Sequence, residues 1–168
     1  MRFNPYDDVY HANSTVSSVA IKSLTGSSEV DGAALDTAFA GLESLMVHIR
    51  AEIASGTPDA ATVAWALQES NDGSTSWGAA LDNTGTAIGG TLNVLAAAQD
   101  AYARVEGIML YNANLSAAPR GGRKRYLRIA LTPAFTGGSS PAILAHAQFI
   151  GALGNGAQLP ARTTVSNT

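Results

Sequence analysis

Between residues 44 and 53 the apolar side chains Leu45, Val47, Ile49, Ala51 and Ile53 occupy one parity, and Ser44, His48, Arg50 and Glu52 occupy the other. A period of two sets successive side chains on opposite faces of an extended chain, so this segment reads as a strand with one apolar face and one polar face. Such a strand is stable only when another layer covers its apolar face.

The same alternation recurs along the chain. Val19 and Ile21 alternate with Ala20 and Lys22 ahead of the turn signal Thr25-Gly26-Ser27-Ser28. Val63, Trp65 and Leu67 alternate with Thr62, Ala64, Ala66 and Gln68, bounded by Ser55-Gly56-Thr57-Pro58-Asp59 before and Asn71-Asp72-Gly73-Ser74 after. This spacing predicts a hairpin between the strands at 45–53 and 61–69, then a second tight turn at Asp72-Gly73 with Trp77 opening the returning strand. Leu127, Ile129 and Leu131 alternate with Tyr126, Arg128 and Ala130. A last strand over 142–151 sets Ile143, Ala145, Ala147 and Phe149 against Leu144, His146, Gln148 and Ile150. Both faces of that last strand are partly apolar, which suits an inner strand or one covered by a neighbouring subunit.

Other stretches are less regular. Asp31–Gly41 is alanine-rich and has room for a helical turn or two, Leu92–Ala103 fits a helix or a strand, and Gly107 suggests a bulge in the β-type stretch 101–111. About seven or eight short strands with Gly, Pro, Ser and Asn turns, and at most one or two short helices, predict an all-β sandwich or jelly roll. Residues 1–16 lack a period and read as an N-terminal arm anchored by Phe3, Tyr6 and Tyr10. The sandwich domain is expected over 17–154, with a polar tail over 155–168.

Composition narrows the function. The chain contains no cysteine, which excludes disulfide scaffolds, thiolate metal sites and cysteine nucleophiles. Ala, Gly, Ser and Thr make up 77 of its 168 residues, favouring tight turns and a thin core over long charged helices. A net charge of −3 gives no global attraction to nucleic acid or anionic membranes, and no run approaches the ~20 apolar residues of a membrane span. The start of the chain lacks the apolar region of a signal peptide, so synthesis in the cytoplasm without export by that route is expected.

The familiar signatures of catalysis are also missing. No Gly-x-Ser-x-Gly elbow and no phosphate-binding Gly-x-x-x-x-Gly-Lys-Ser/Thr loop occurs. The histidines His11, His48 and His146 lie in the arm, on a polar strand face and on the last strand, without metal-ligand spacing. The expectation is a protein that is not an enzyme and needs no metal or cofactor.

Two polar clusters stand out. Ser70-Asn71-Asp72-Gly73-Ser74-Thr75-Ser76-Trp77 resembles the Asp-box of sialidase-type propeller hairpins, although its spacing departs from that pattern and only one copy is present. It reads as a hairpin in which Asp72 bonds turn amides and the Trp77 ring closes the end of the core; a calcium site with Asp82 or Asn83 is the alternative. Arg120, Arg123, Lys124, Arg125 and Arg128 place half of all basic residues in nine positions. A docking surface for an acidic partner is the favoured reading, ahead of a solvated basic loop or a phosphate site.

The order Leu67-Gln68-Glu69-Ser70-Asn71-Asp72-Gly73, then Trp77, then Lys124-Arg125-Tyr126-Leu127-Arg128-Ile129, then Ala147-Gln148-Phe149-Ile150-Gly151 and Leu159-Pro160 is similar to small structural proteins of tailed bacteriophages. Those are sandwich or jelly-roll proteins that decorate or cement the capsid. The resemblance spans roughly residues 42–160 and implies no catalytic residues. It implies a virion protein on the capsid surface, made in the host cytoplasm, with the major capsid protein as partner and a homo-oligomer, a trimer favoured. The expected contacts are Arg120, Arg123, Lys124, Arg125, Phe3, Tyr6 and Tyr10. A tail or baseplate protein and a carbohydrate-binding sandwich using Tyr102, Tyr111 or Trp77 are the competing readings.

Overall fold

A computed structural model describes residues 14–36, 42–82, 84–94, 99–105 and 124–153. They form ten strands: β1 (Ser14–Leu24), β2 (Val30–Asp31), β3 (Leu35–Asp36), β4 (Leu42–Ser55), β5 (Ala60–Ser70), β6 (Gly78–Ala79), β7 (Gly89–Asn93), β8 (Gln99–Val105), β9 (Tyr126–Thr136) and β10 (Ala142–Leu153). Two antiparallel sheets result, one ordered β1-β10-β4-β8 and the other built on β2-β9-β5-β6, with β3 also on β9 and β7 also on β5. The all-β sandwich expected from the alternation is therefore present, and no helix occurs among the described residues.

Inward side chains are the ones the period of two selects. Val47, Ile49, Ile143, Ala147 and Phe149 from one sheet and Val63, Leu67, Leu127, Ile129 and Leu131 from the other are fully buried in a single cluster. Large and small residues oppose each other across the strands, with Phe149 beside Val47 and Ala147 beside Ile49. Trp65 fits because Gly90 lies opposite it: a Cβ there would stand 3.0 Å from the indole nitrogen. The abundance of small residues thus serves close packing between layers.

The expected hairpin between the strands at 45–53 and 61–69 does not form, since β4 and β5 lie in different sheets. Both have apolar inward faces, and the 56–59 connection carries the chain across the core so that those faces oppose each other. A second crossing, 137–141, joins β9 to β10 alongside it. The two crossings interlock: Asp59 N donates to Thr136 O at 2.8 Å, and Cβ atoms at Gly56 and Gly138 would stand 2.7 Å from Pro141 and 2.9 Å from Pro58. Both glycines also have positive φ, so no other residue satisfies both the backbone and the contact.

Three further readings change. The helical turn expected within 31–41 is replaced over 31–36 by edge strands β2 and β3, because Gly32 N donates to Ile129 O at 2.9 Å and the chain stays in register with β9; residues 37–41 lie outside the described part. Residues 92–93 and 99–103, open between helix and strand, belong to β7 and β8. β1 begins at Ser14, so residues 14–16 pair with β10 instead of standing in an arm. Residues 1–13, Gly107, and the tail 155–168 lie outside the described residues. β10 runs between β1 and β4, the inner position its two partly apolar faces suggested.

Phe149 is the largest fully buried side chain. Phe149→Ala is expected to lower unfolding free energy by about 3–5 kcal/mol, read from the urea midpoint at unchanged slope.

Candidate functional site

The polar residues singled out by sequence gather at one end of the β5/β9 sheet, where Ser70 pairs with Tyr126 and Gln68 with Arg128. Ser70 ends β5 fully buried. Its Oγ lies 2.7 Å from Thr75 O and 2.8 Å from Asp72 Oδ1, and accepts from Asp72 N at 3.2 Å and Gly73 N at 3.3 Å. Asp72 Oδ1 in turn accepts from Ser74 N at 3.0 Å and Thr75 N at 2.8 Å, while Oδ2 accepts from the Thr75 hydroxyl. Those donors, the Thr75 hydroxyl first, hold the Asp72 carboxyl well below the usual carboxylate range.

The turn then folds over the neighbouring strand. Gly73, at φ 72°, rests against the Tyr126 ring so closely that a Cβ would meet it at 2.9 Å. Asp72 bonds turn amides as expected of an Asp-box-like hairpin, but Trp77 does not close the core. Its ring lies under the Arg128 guanidinium at 4.3 Å from the ring centroid, on the outward side of the sheet to which alternation directs Arg128.

The basic segment is fastened to the same sheet. Arg128 donates Nε to Gln68 Oε1 at 2.7 Å and reaches Asp31 Oδ2 with Nη1 at 2.9 Å. Arg125 grips Asp36 with two donors, Nε at 3.0 Å to Oδ1 and Nη2 at 2.8 Å to Oδ2, and lies 5.1 Å from the Tyr126 centroid. Lys124 N donates to Glu69 Oε2 at 3.3 Å. The forked Arg125–Asp36 pair combines charge with fixed geometry and ties β3 to β9, while the single Arg128–Asp31 contact ties β2 to β9. Of the residues expected to contact a partner, Lys124 and Arg125 are placed at this end. Arg120, Arg123, Phe3, Tyr6 and Tyr10 lie outside the described residues.

Asp31, Asp36 and Gln68 were missed in the sequence reading. Their partners lie 39 to 97 positions away, from Gln68–Glu29 to Asp31–Arg128, and no local spacing marks them. Asp82 closes its own turn, accepting on Oδ1 from Thr84 N at 2.8 Å and Thr86 N at 2.9 Å. Asp72 and Asp82 therefore each serve their own loop, and Asn83 lies outside the described residues.

A second polar group occupies the outer face of the other sheet. His48 Nε2 is 3.1 Å from Asp100 Oδ1, and Gln148 Nε2 is 3.1 Å from His48 Nδ1. An amide donating to Nδ1 fits the tautomer that carries its proton on Nε2, which Asp100 accepts. His146 lies on the neighbouring strand; burial, then the nearness of His48, lowers its pKa. Arg50, Glu52, Leu144, Ala145 and His146 line a shallow groove there. Among the described residues no three His, Asp or Glu side chains are grouped so as to hold a metal ion.

No protein-family model, curated protein or solved structure matches this chain.

Because the folded carboxyl of Asp72 titrates lower than an unfolded one near pH ~4, its stabilisation is fully present above that value and is lost on acidification. The gap in urea midpoint between the wild type and Asp72→Asn is therefore expected to be widest at neutral pH and to narrow progressively below about pH 4.

Proposed function

We propose that this chain is a non-enzymatic structural protein of a virus particle, binding the outer surface of a tailed-phage capsid and bridging its major capsid protein subunits. One observation carries the reading: the strand order. β2 and β3 lie end to end along β9, and β6 and β7 along β5, so each pair counts as one interrupted strand. Renumbered in that way, the sheets run first–eighth–third–sixth and second–seventh–fourth–fifth, an order that supports reading the sandwich as the double Greek key of a jelly roll. Jelly rolls recur in viral capsid and lectin domains.

The placement of Trp77 weighs against the lectin reading. Carbohydrate platforms need an aromatic face open to a sugar, and Trp77 offers one of its faces to Arg128. Arg125 and Arg128 fasten strands of the fold to one another. Docking on an acidic patch of the capsid is assigned to Arg120, Arg123, Lys124 and Arg125, the last of which also pairs with Asp36.

The test is where the protein sits in particles. Virions are separated into tail-free heads and isolated tails, and each fraction is probed for this chain by mass spectrometry. Recovery in stoichiometric amounts with the heads is expected. Recovery with tails alone would transfer the reading to a tail or baseplate component, and absence from both, or specific hits on a glycan array, would contradict it.

A further inference from the structure

Four margins bound the two sheets among the described residues, and three of them are interrupted. β1 has register shifts against β10 between Ser17 and Val19 and between Val19 and Lys22. The β2/β3 margin consists of two two-residue pieces, and the loop 80–88 separates β6 from β7. Such breaks deny another chain an even ladder. β8 has no such break. Its residues Gln99–Val105 pair with β4 from Ala51 to Leu45 without a shift, and it ends its sheet.

We propose that β8 pairs antiparallel with β8 of a second copy of this chain about a two-fold axis at Tyr102. The strand's own sequence, Gln99-Asp100-Ala101-Tyr102-Ala103-Arg104-Val105, commits it to that occupant. Directly opposed residues share a face of the sheet, so an axis normal to the sheet opposes only residues of equal parity. With the axis at Tyr102 the whole strand is used, and Asp100 stands opposite Arg104 of the second copy on both sides of the axis. Shifting the axis to Ala101 or Ala103 shortens the ladder and sets Asp100 or Arg104 against Tyr102. The pairing of Asp100 with Arg50, Tyr102 with His48 and Arg104 with Met46 places all three positions on the outer face.

Asp100 is already held near its strand by His48, through Oδ1 at 3.1 Å. The acidic member of the charge pattern is therefore presented at a fixed position. Pairing joins the two four-stranded sheets into one continuous sheet, and it produces a two-fold assembly instead of the trimer that the phage resemblance suggests. It holds whatever surface the protein coats, so its failure leaves the capsid reading standing, and the reverse is also true.

The full-length chain is expected to sediment at twice 17.2 kDa, with dissociation on dilution. Since the chain has no cysteine, Tyr102→Cys introduces a lone thiol at the axis, where opposed strand residues lie within disulfide reach. That variant should oxidise to a covalent dimer much faster than Ala101→Cys or Ala103→Cys. Arg104→Asp sets like charges opposite each other and should weaken the dimer by about tenfold or more, and adding Asp100→Arg should restore it. A single-chain or three-chain mass for the wild type, equal cross-linking at positions 101, 102 and 103, or no recovery in the charge swap would overturn the proposal. Wild-type mass and the charge swap decide the matter even where a cysteine variant fails to fold.

Discussion

β5 and β9 are paired from Ala60 opposite Thr136 to Ser70 opposite Tyr126 with no shift in register, and the rest of the molecule is hung on that ladder. A slip of one residue would turn the apolar side chains of one of the two strands to solvent and bring its polar ones inward, Leu67 exchanged for Gln68 if β5 slipped, or Ile129 and Leu131 exchanged for Arg128 if β9 did. The ladder also sets the position of every edge piece of its own sheet, because β2 and β3 pair with β9, and β6 and β7 with β5. The 56–59 and 137–141 crossings each start or end on it, and their glycines are packed against each other's backbone.

Short edge strands are weak on their own. β2, β3 and β6 have two residues each, too few for backbone bonds alone to hold them. Side chains supply the remainder. Arg128 joins Asp31 of β2 to Gln68 of β5 across β9, Arg125 joins Asp36 of β3 to β9, and the Ser70–Asp72 turn leads β5 into β6. A chain with few charges has concentrated them where strands are shortest. The same economy ties the outer face of the second sheet, where Gln148, His48 and Asp100 link β10, β4 and β8.

The layers and the core were legible in the sequence because burial imposes a period of two: Val47, Ile49, Leu127, Ile129, Ile143 and Phe149 all point inward as the alternation requires. Which strands share a sheet was not. Ser55-Gly56-Thr57-Pro58-Asp59 is turn chemistry that serves a hairpin or a crossing between sheets equally well, and only the competition for partners by β10 and β9 decides between them. The turn at Asp72 was readable from local spacing, since its bonds span at most five residues. The ion pairs of Arg125 and Arg128 were not, since Asp36 and Asp31 approach only after β3 and β2 have docked on β9. Trp77 was assigned to the end of the core on the likeness of its segment to an Asp-box hairpin, and the cation over its ring explains its place at the surface.

Arginine side chains clamp the short edge strands to the β5/β9 ladder. Native-state amide exchange of Arg128→Met compared with wild type tests this most directly. Gly32 N, which bonds Ile129 O at 2.9 Å beside Asp31, should exchange faster in the variant, while Leu67 N, bonded to Ile88 O at 2.9 Å on the far side of β5, should keep its protection. Unchanged exchange at Gly32, or equal acceleration at both amides, would contradict it.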